Sequence, residues 1–318
     1  MRKLGKISLV VPCYNEQEVI ASTHERLSAI LGALVKASKC TAYEIVYVND
    51  GSSDNTQKIL EEIFSKDTHV RVIALRRNFG FQGALCAGLV FARGEAMVTI
   101  DADLQDPPEK IQDMIAHYEQ GYDLVLGVRE DRQSDTLFKK FTAENFYRLM
   151  KALGADIVYN HADFRLMARP LVDEFNMLNE RNRFIRGMVL ALDNHYATVS
   201  YKRQARQQGV TKFNFNRMLS FSLDGIFSFT FMPLRIISIV GAVCFMLALG
   251  GIVYAVLGKI FGHALPGWTS TVLPNFVFHG FEILSIGLIG EYVGRLYVEV
   301  KQRPIFSVRR ELTHENNI

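Results

Sequence analysis

Short runs rich in β-branched residues alternate with amphipathic stretches over residues 1 to about 130, and this alternation constrains the fold more than any other feature of the chain. The runs expected to form strands are 7–11, 44–48, 70–75, 96–100 and 124–128. The stretches expected to form helices are 18–35, 56–64 with Asp54 as its cap, and about 82–92. Because strands separated by helices are typical of parallel sheets, we predict a doubly wound α/β fold.

Acidic side chains stand where three of the predicted strands end. The strand 96–100 runs directly into Asp101-Ala-Asp103, whereas Glu16 and Asp50 follow the first and second strands. The carboxyl ends of parallel strands meet at one edge of a sheet, so these acids are expected to lie together. Paired carboxylates repel unless a cation lies between them, and hard divalent ions also bind phosphate oxygens. The pattern predicts a Mg²⁺ or Mn²⁺ site holding a nucleoside diphosphate. The alternative is a polar turn with Asp106 as a helix cap.

Several other classes of protein are disfavoured by the sequence. The turn after the first strand, residues 12–16, lacks the Gly-x-Gly-x-x-Gly of a dinucleotide-binding dehydrogenase, and no Walker loop is present. A net charge of +3 is too small to argue for nucleic-acid binding. The four cysteines have neither paired nor metal-type spacing, which fits reduced thiols. No signal peptide is expected at the N-terminus.

Cations follow the predicted sheet. Arg129 and Arg132 come directly after the strand 124–128, at the edge where the acids lie, and they suit a diphosphate or an acceptor phosphate. Asp163 and Arg165 interrupt an otherwise apolar run further on. Between Arg132 and Asp163, residues 138–153 are predicted to form an amphipathic helix of the core. His161 is interpreted as an ordinary loop histidine.

Two long apolar stretches predict membrane-spanning helices. Residues 236–257 contain no charge over 22 positions, which is enough to cross a hydrocarbon core of ~30 Å. The second stretch, about 272–298, contains His279, Glu282, Glu291 and Arg295. An acid inside a bilayer is costly and usually faces protein, so we expect Glu282 to pair with His279 or with a neighbouring subunit.

Basic residues interleaved with phenylalanines precede the first span. Residues 201–235 contain six basic side chains and one acid, together with many apolar side chains. This pattern predicts amphipathic helices at the membrane interface, since so many phenylalanines at helical spacing suit acyl chains better than nucleic-acid bases. We therefore divide the chain into a catalytic domain (1–212), interfacial helices (213–233), two spans (234–298) and a basic tail (299–318).

The charges beside the spans predict their orientation. The loop 258–271 carries only Lys259, whereas five basic residues lie at or beyond the end of the second span: Arg295, Lys301, Arg303, Arg309 and Arg310. The positive-inside rule then places the catalytic domain and the C-terminus in the cytoplasm. The sequence predicts a multi-pass protein of the inner (plasma) membrane.

Four motifs resemble the successive signatures of family 2 glycosyltransferases. They are Val10-Val-Pro-Cys-Tyr-Asn-Glu16, Val48-Asn-Asp-Gly-Ser-Ser-Asp54, Arg77-Asn-Phe-Gly80 and Asp101-Ala-Asp-Leu-Gln-Asp-Pro107. The chain is most similar to the branch that contains dolichol-phosphate mannose synthases and bactoprenol glucosyltransferases, and the similarity extends over nearly the whole chain. The resemblance implies a GT-A (Rossmann-like) fold and an inverting, metal-dependent transfer of a sugar from a nucleoside diphosphate to a polyprenyl phosphate.

The same resemblance implies roles for individual residues. The nucleoside pocket would be lined by Pro12, Tyr14, Glu16 and Asp50. Asp103 would be the main metal ligand, with Asp101 and Gln105 beside it.

On the acceptor side, the matching Asp163 would lie next to the sugar and act as a base or as an orienting carboxylate, with Arg129 as a further catalytic residue. Lys212 lies in a Gly-Val-Thr-Lys run that resembles a phosphate-binding motif of the family, and it would contact the acceptor phosphate together with Arg132 and Arg165.

Glucose from UDP-glucose is the expected donor sugar, and undecaprenyl phosphate the expected acceptor. Another hexose, mannose or an aminosugar remains open, as do a tetrameric assembly and a flippase partner. A processive polysaccharide synthase is disfavoured because the chain has a single tryptophan, Trp268, which lies outside any Gln-x-x-Arg-Trp motif. A non-catalytic membrane scaffold that binds a nucleotide sugar is the alternative from another class.

Overall fold

The computed structural model describes residues 2–130, 158, 160–181, 183, 185–203, 232–261 and 267–314. Over these residues the strands are β1 (Lys6–Cys13), β2 (Ala42–Asn49), β3 (Val70–Leu75), β4 (Ala96–Thr99), β5 (Leu124–Arg129), β6 (His161–Ala168), β7 (Tyr196–Tyr201) and β8 (Val308–Leu312). The α-helices are α1 (Ile20–Lys36), α2 (Thr56–Lys66), α3 (Phe81–Phe91), α4 (Ile111–Glu119), α5 (Arg169–Met177), α6 (Ile185–Leu192), α7 (Met232–Ile260) and α8 (Trp268–Lys301). A 3₁₀ turn, Pro108–Lys110, precedes α4.

The described strands form one mixed sheet in the order β7-β5-β6-β4-β1-β2-β3-β8. The pairs β1–β2, β1–β4, β2–β3 and β5–β7 are parallel. Strand β6 runs antiparallel to both of its neighbours, β4 and β5, and β8 runs antiparallel to β3. This mostly parallel sheet confirms the predicted α/β class, and the five strands predicted from the sequence are all present.

Strand β6 was not predicted, and its sequence explains why. Its side chains alternate between two environments: Ala162 and Phe164 are buried in the hydrophobic core, whereas His161, Asp163 and Arg165 lie on the opposite face. Polar residues at every second position conceal a strand that is nevertheless almost wholly buried. The interruption seen in the sequence is therefore one polar face of a central strand, and His161 lies in that strand rather than in a loop.

Helices cover both faces of the sheet. The amphipathic helices α1 and α2 bury one apolar stripe each. Helix α3 is apolar nearly all round and is buried from Gly83 to Leu89 because it lies between the sheet and α5. Asp54, predicted to cap α2, lies one residue before the N-cap position, which is Asn55, and its side chain accepts a hydrogen bond from the amide of Thr56 at 3.0 Å.

Helices α7 and α8 contain 29 and 34 residues and leave large apolar side chains exposed. Ile239, Met246 and Leu247 on α7 and Ile283 and Leu284 on α8 are all more than 60% exposed. Within the described residues, no helix is both long enough and apolar enough to cross a membrane.

Glu282 pairs with His279 as predicted, with 3.3 Å between Glu282 Oε2 and His279 Nδ1. The predicted core helix 138–153 and nearly all of the predicted interfacial segment 213–233 lie outside the described residues.

Beyond α8 the chain returns to the catalytic sheet. Part of the segment 299–318, set apart from the sequence as a basic tail, forms β8, which pairs with β3 at the edge of the sheet. Ahead of this strand, both carboxylate oxygens of Glu299 accept the backbone N–H of Arg181 at 2.9 Å. The end of α8 is thus bonded to the chain segment just before α6.

The close approach of α3 to the sheet predicts the effect of one substitution. A Cβ atom added at Gly88 would lie 2.2 Å from Val10 Cγ1, inside the core. We expect Gly88→Ala to lower the free energy of unfolding by about 1–3 kcal/mol, because an overpacked core must shift. Gly32→Ala is the matched control: it lies within α1 with no atom within 4 Å of the added methyl, so it should stabilise slightly. Thermal denaturation of the purified variants, followed by circular dichroism, measures both. Equal stability of the two variants would contradict the packing described here.

Candidate active site

The loop after β4 presents three acids within six residues. It turns back at Leu104, whose φ is +46° and whose N–H donates to Asp101 O at 3.3 Å. The amide of Gln105 donates to Asp103 Oδ1, also at 3.3 Å. Asp101 and Asp103 are half-buried, whereas Asp106 is buried. The turn therefore holds the carboxylates close together at the carboxyl end of a central strand.

Arg129, at the end of β5, anchors this loop. Its Nε and Nη2 donate to the two oxygens of Asp106 at 3.2 and 3.0 Å, and the Asp106 side chain is only 2% exposed. Burial alone would lower the pKa of Arg129, but the Asp106 carboxylate outweighs it and the pKa is raised. Tyr201, at the end of β7, lies beside the pair, and its pKa is raised by burial and then by Asp106. Arg129, predicted to bind phosphate, is thus also a residue that positions the acidic loop.

Asp163 lies between two arginines. Its carboxylate accepts hydrogen bonds from Arg165 Nη2 and from Arg186, whose Nη2 is 2.7 Å from Asp163 Oδ2. The backbone oxygen of Asp163 also accepts a hydrogen bond from the hydroxyl of Thr99 in β4. Burial would raise the pKa of Asp163, but Arg186 and Arg165 outweigh it and hold the pKa well below the usual range. The carboxylate is ionised at neutral pH and has little tendency to take up a proton.

Asp101 lies among other carboxylates. Burial first, and then the nearby carboxylates of Asp163, Asp106 and Asp103, raise its pKa to about 7 against the opposing effect of Arg129. A cation beside Asp101 would relieve this repulsion. Among the described residues, no group of three or more His, Cys, Asp or Glu side chains is arranged to hold a metal. One or two carboxylates are nevertheless enough for Mg²⁺ when substrate phosphates supply the remaining oxygens, so Asp101 and Asp103 fit a metal that binds with its substrate.

Gln105 is held by a residue that sequence reasoning missed. Arg203, two residues beyond β7, donates from Nη2 to the side-chain oxygen of Gln105. The pKa of Arg203 is lowered by burial and then by repulsion from Arg129, with the acids of the loop opposing the shift. Gln105, predicted to lie beside the metal ligands, is therefore held in place by a residue from the end of β7.

The predicted nucleoside residues follow β1. Pro12 is buried in the strand, Tyr14 is 40% exposed, and Glu16 is half-buried. Between them Asn15 has a φ of +53°, and its N–H donates to the hydroxyl of Ser52 at 2.9 Å. The loops after β1 and β2 are thus bonded to each other and leave Tyr14 exposed at the carboxyl end of the sheet.

Asp50 holds a loop in place. Its two oxygens accept the backbone N–H groups of Phe79 at 2.7 Å and Gly80 at 2.9 Å, and Gly80 has a φ of +84°. Burial raises the pKa of Asp50, although these two amides oppose the shift. The acid therefore organises the Arg77–Gly80 turn, and its predicted contact with a nucleoside stays a prediction.

The structure brings the predicted residues of the loop after β4, of β5 and of β6 into one region. The loop after β4 carries Asp101 and Asp103, and Arg129 lies beside it. From the neighbouring strand β6 come Asp163 and Arg165. Arg132 and Lys212 lie outside the described residues.

Three contributors were missed. Asp106 had been interpreted as a possible helix cap and Arg203 as part of the basic run at the membrane interface. Arg186 carries no local sequence signal, since only the fold brings it to the acids.

Comparison with known proteins identifies the family. The family model described as "Glycosyl transferase family 2" matches residues 8–175, more than half of the chain. The chain belongs to this family. It is therefore a glycosyltransferase, and the GT-A-like α/β fold expected from its motifs is confirmed.

Relatives of this glycosyltransferase match it over nearly their full length. The uncharacterized glycosyltransferase YkcC of Bacillus subtilis is 40% identical, over 97% of this chain and 95% of its own. The prophage bactoprenol glucosyl transferase homolog of Escherichia coli is 38% identical, over 96% and 99%. The SfII prophage-derived bactoprenol glucosyl transferase of Shigella flexneri is 37% identical, over 98% and 99%.

A solved structure is similar at lower identity. It is glucosyl-3-phosphoglycerate synthase from Mycobacterium tuberculosis, in complex with Mn²⁺, UDP-glucose and phosphoglyceric acid. The match has 20% identity and a TM-score of 0.46, and it covers 70% of this chain and 77% of that one.

The ion pair between Asp106 and Arg129 predicts a large effect of a small change. Asp106→Asn leaves the Arg129 guanidinium partly buried without its counter-charge, so we expect a loss of about 3 kcal/mol in the free energy of unfolding. Asp113→Asn is the matched control, because Asp113 pairs with Lys110 at 2.7 Å on the surface, where such a pair contributes little. Chemical denaturation of both variants checks this prediction. A loss at Asp113 as large as that at Asp106 would refute the anchoring role of the buried pair.

Proposed function

We propose that this glycosyltransferase transfers glucose from UDP-glucose to undecaprenyl phosphate at the cytoplasmic face of the inner membrane, giving a lipid-linked sugar for cell-envelope or O-antigen glycosylation. The observation that carries the proposal is the similarity, over nearly the full length, to proteins named bactoprenol glucosyl transferases. The cluster of acids and arginines at the carboxyl end of the sheet supports it, since a diphosphate leaving group and a phosphate acceptor both need cationic partners.

On the donor side, Asp103 and Asp101 would hold Mg²⁺ or Mn²⁺, with Gln105 beside them. The bound metal would take up negative charge that builds on the departing diphosphate. The carboxylates near Asp101 support this assignment, because a divalent cation relieves the repulsion between neighbouring carboxylates. Tyr14, Glu16 and the turn held by Asp50 would receive the nucleoside.

On the acceptor side, positioning matters more than proton removal. A phosphate monoester is already an anion near neutral pH, so its oxygen can attack the anomeric carbon directly, with inversion. The new bond joins the acceptor oxygen to that carbon, and the bond to the diphosphate breaks and leaves its electron pair on the UDP. Catalysis would then rest on alignment and charge stabilisation by Asp163 and the neighbouring arginines, with Lys212 and Arg132 as further phosphate contacts.

Two spans over 234–298 would place the lipid acceptor beside the catalytic domain. The uncharged sequence 236–257 and the exposed apolar side chains of α7 and α8 support this part of the proposal. The chain leaves the sheet after β7 and returns to it as β8. The chain therefore enters and leaves the helical pair from the same domain. Because that domain lies on one side of the membrane, the chain must cross the membrane an even number of times. By resemblance, we also expect a homotetramer and a flippase partner.

The test of function is a transfer assay with the purified protein. Undecaprenyl phosphate is incubated with UDP-glucose, other UDP-hexoses, UDP-aminosugars and GDP-mannose, each with Mn²⁺, Mg²⁺ or a chelator, and the lipid product is identified by mass spectrometry. We expect a glucosylated lipid phosphate from UDP-glucose and none with the chelator. A product from another sugar would reassign the donor, and no lipid product from any donor would refute the transferase proposal.

Asp103→Asn should abolish transfer in that assay while the protein stays folded, because the amide removes the negative charge that the metal needs. Asp113→Asn, on the surface of α4, should transfer at the wild-type rate. The rate of UDP release and the thermal stability of both variants are the measurements. Substantial activity of Asp103→Asn would remove Asp103 as the metal ligand.

The proposed orientation predicts the behaviour of three reporter fusions in a Gram-negative host. Alkaline phosphatase, which is active only outside the cytoplasm, should be active when fused after Lys259 and inactive when fused after Ile318. Green fluorescent protein should fluoresce at the second position. Active phosphatase at the C-terminus would contradict a cytoplasmic catalytic domain, because β8 belongs to the catalytic sheet.

A further inference from the structure

Arg165, Asp163 and Arg186 form a stack that runs from the protein interior towards the surface. Their side chains are 1%, 12% and 24% exposed, respectively. Arg165 donates a hydrogen bond to Asp163 from the side of the protein interior. Arg186, on the side of the surface, donates to both Asp163 oxygens, with Nε 3.2 Å from each. Each oxygen of Asp163 thus already has a guanidinium partner.

The buried end of the stack has hydrogen-bonding capacity to spare. Arg165 Nε and Nη1 are buried and have no hydrogen-bond partner among the described residues. The two guanidinium groups also outnumber the single carboxylate between them. Arg165 is almost completely buried, so the end of the stack that is open to a phosphate is that of Arg186.

The stack lies beside the acids that would bind the donor. Thr99 in β4 pairs with Arg165 in β6, and its hydroxyl donates to Asp163 O. Asp101 follows two residues after Thr99 and is close enough to Arg165 to interact with it electrostatically. The stack therefore lies beside the acids proposed to hold the donor diphosphate.

Helix α6 fixes the position of Arg186. The neighbouring Ile185, Met188 and Val189 are buried in the core, which holds the helix against the sheet. Arg186 remains the partly exposed residue of this turn, directed at Asp163. An arginine offers several N–H donors in a planar fork, so it can bond to Asp163 and to a phosphate oxygen at the same time.

We propose that Arg186 contacts a phosphate oxygen of the reacting pair, and that Asp163 is a positioning residue that holds Arg186 from behind rather than a general base. This inference rests on the proposed function for the identity of the phosphates. The phosphate belongs either to the lipid acceptor or to the UDP part of the donor, and the measurement below separates the two.

The decisive variant is Arg186→Gln, assayed for kcat and for the Michaelis constants of undecaprenyl phosphate and UDP-glucose. We expect one Michaelis constant to rise about tenfold or more, since a charged hydrogen bond to phosphate is lost. A rise for the lipid assigns the acceptor phosphate, and a rise for the nucleotide sugar assigns the diphosphate. Arg186→Lys should recover part of the loss because it keeps the charge. Unchanged Michaelis constants for both substrates would overturn the proposal.

Arg310→Gln is the matched control. Arg310 lies in β8, at the far side of the sheet, in an exposed pair with Glu61 at 3.4 Å, so its loss should change neither Michaelis constant. Thermal denaturation of each variant separates loss of folding from loss of binding. If Arg186→Gln does not fold, Arg186→Lys carries the test through its own Michaelis constants, which should rise less than tenfold but measurably.

Asp163→Asn distinguishes positioning from base catalysis. If Asp163 is a positioning residue, Asp163→Asn should raise the same Michaelis constant as Arg186→Gln does. The double variant should then have a Michaelis constant little higher than that of either single variant, because both changes disrupt one unit. A general base predicts a fall in kcat of about a hundredfold or more with both Michaelis constants unchanged, and this result would overturn the proposal.

Binding measurements keep this test separate from the test of function. The dissociation constants of UDP with Mn²⁺, and of vesicles containing undecaprenyl phosphate, can be measured for wild type and Arg186→Gln without any turnover. A wild type that transfers no sugar would refute the proposed function alone, whereas equal affinities of the two proteins for both ligands would refute the role of Arg186.

Discussion

Mutual repulsion among four carboxylates at the end of β4 is the constraint on which the site depends. Asp101, Asp103 and Asp106 come from one loop, and Asp163 approaches from β6. The protein neutralises two of them itself: Arg129 pairs with Asp106, whereas Arg165 and Arg186 pair with Asp163. The pKa of Asp101 is raised, first by burial and then by the carboxylates of Asp163, Asp106 and Asp103. The same arrangement thus fixes the loop and keeps an attraction for a cation.

The antiparallel strand β6 makes this arrangement possible. By lying between β4 and β5, it brings Asp163 beside Asp101, although 62 positions separate them in the sequence. It also places Arg165 opposite Thr99 and directs the polar face of the strand towards α6. A sheet with β4 and β5 as direct neighbours would hold the acidic loop without its acceptor-side partners.

What the sequence could reveal follows from how local each signal is. Strands β1 to β5 and Asp101-Ala-Asp103 were predictable, because β-branched runs and a run that ends in acids are patterns within one short segment. Strand β6 was missed because its polar face breaks that pattern, and Arg186 was missed because only α6 packing against β6 brings it to Asp163. β8 was missed because it follows two long helices and pairs with a strand more than 230 positions earlier.

The helical pair α7–α8 is connected to the site at both of its ends. The chain enters it from β7, at one edge of the sheet, where Arg203 bonds to Gln105 beside the acidic loop. It leaves through Glu299, which bonds to Arg181 just before the helix that carries Arg186, and then forms β8 at the opposite edge. The segment proposed to meet the lipid is therefore connected by hydrogen bonds to the loop that carries Gln105 and to the chain just before the helix that carries Arg186.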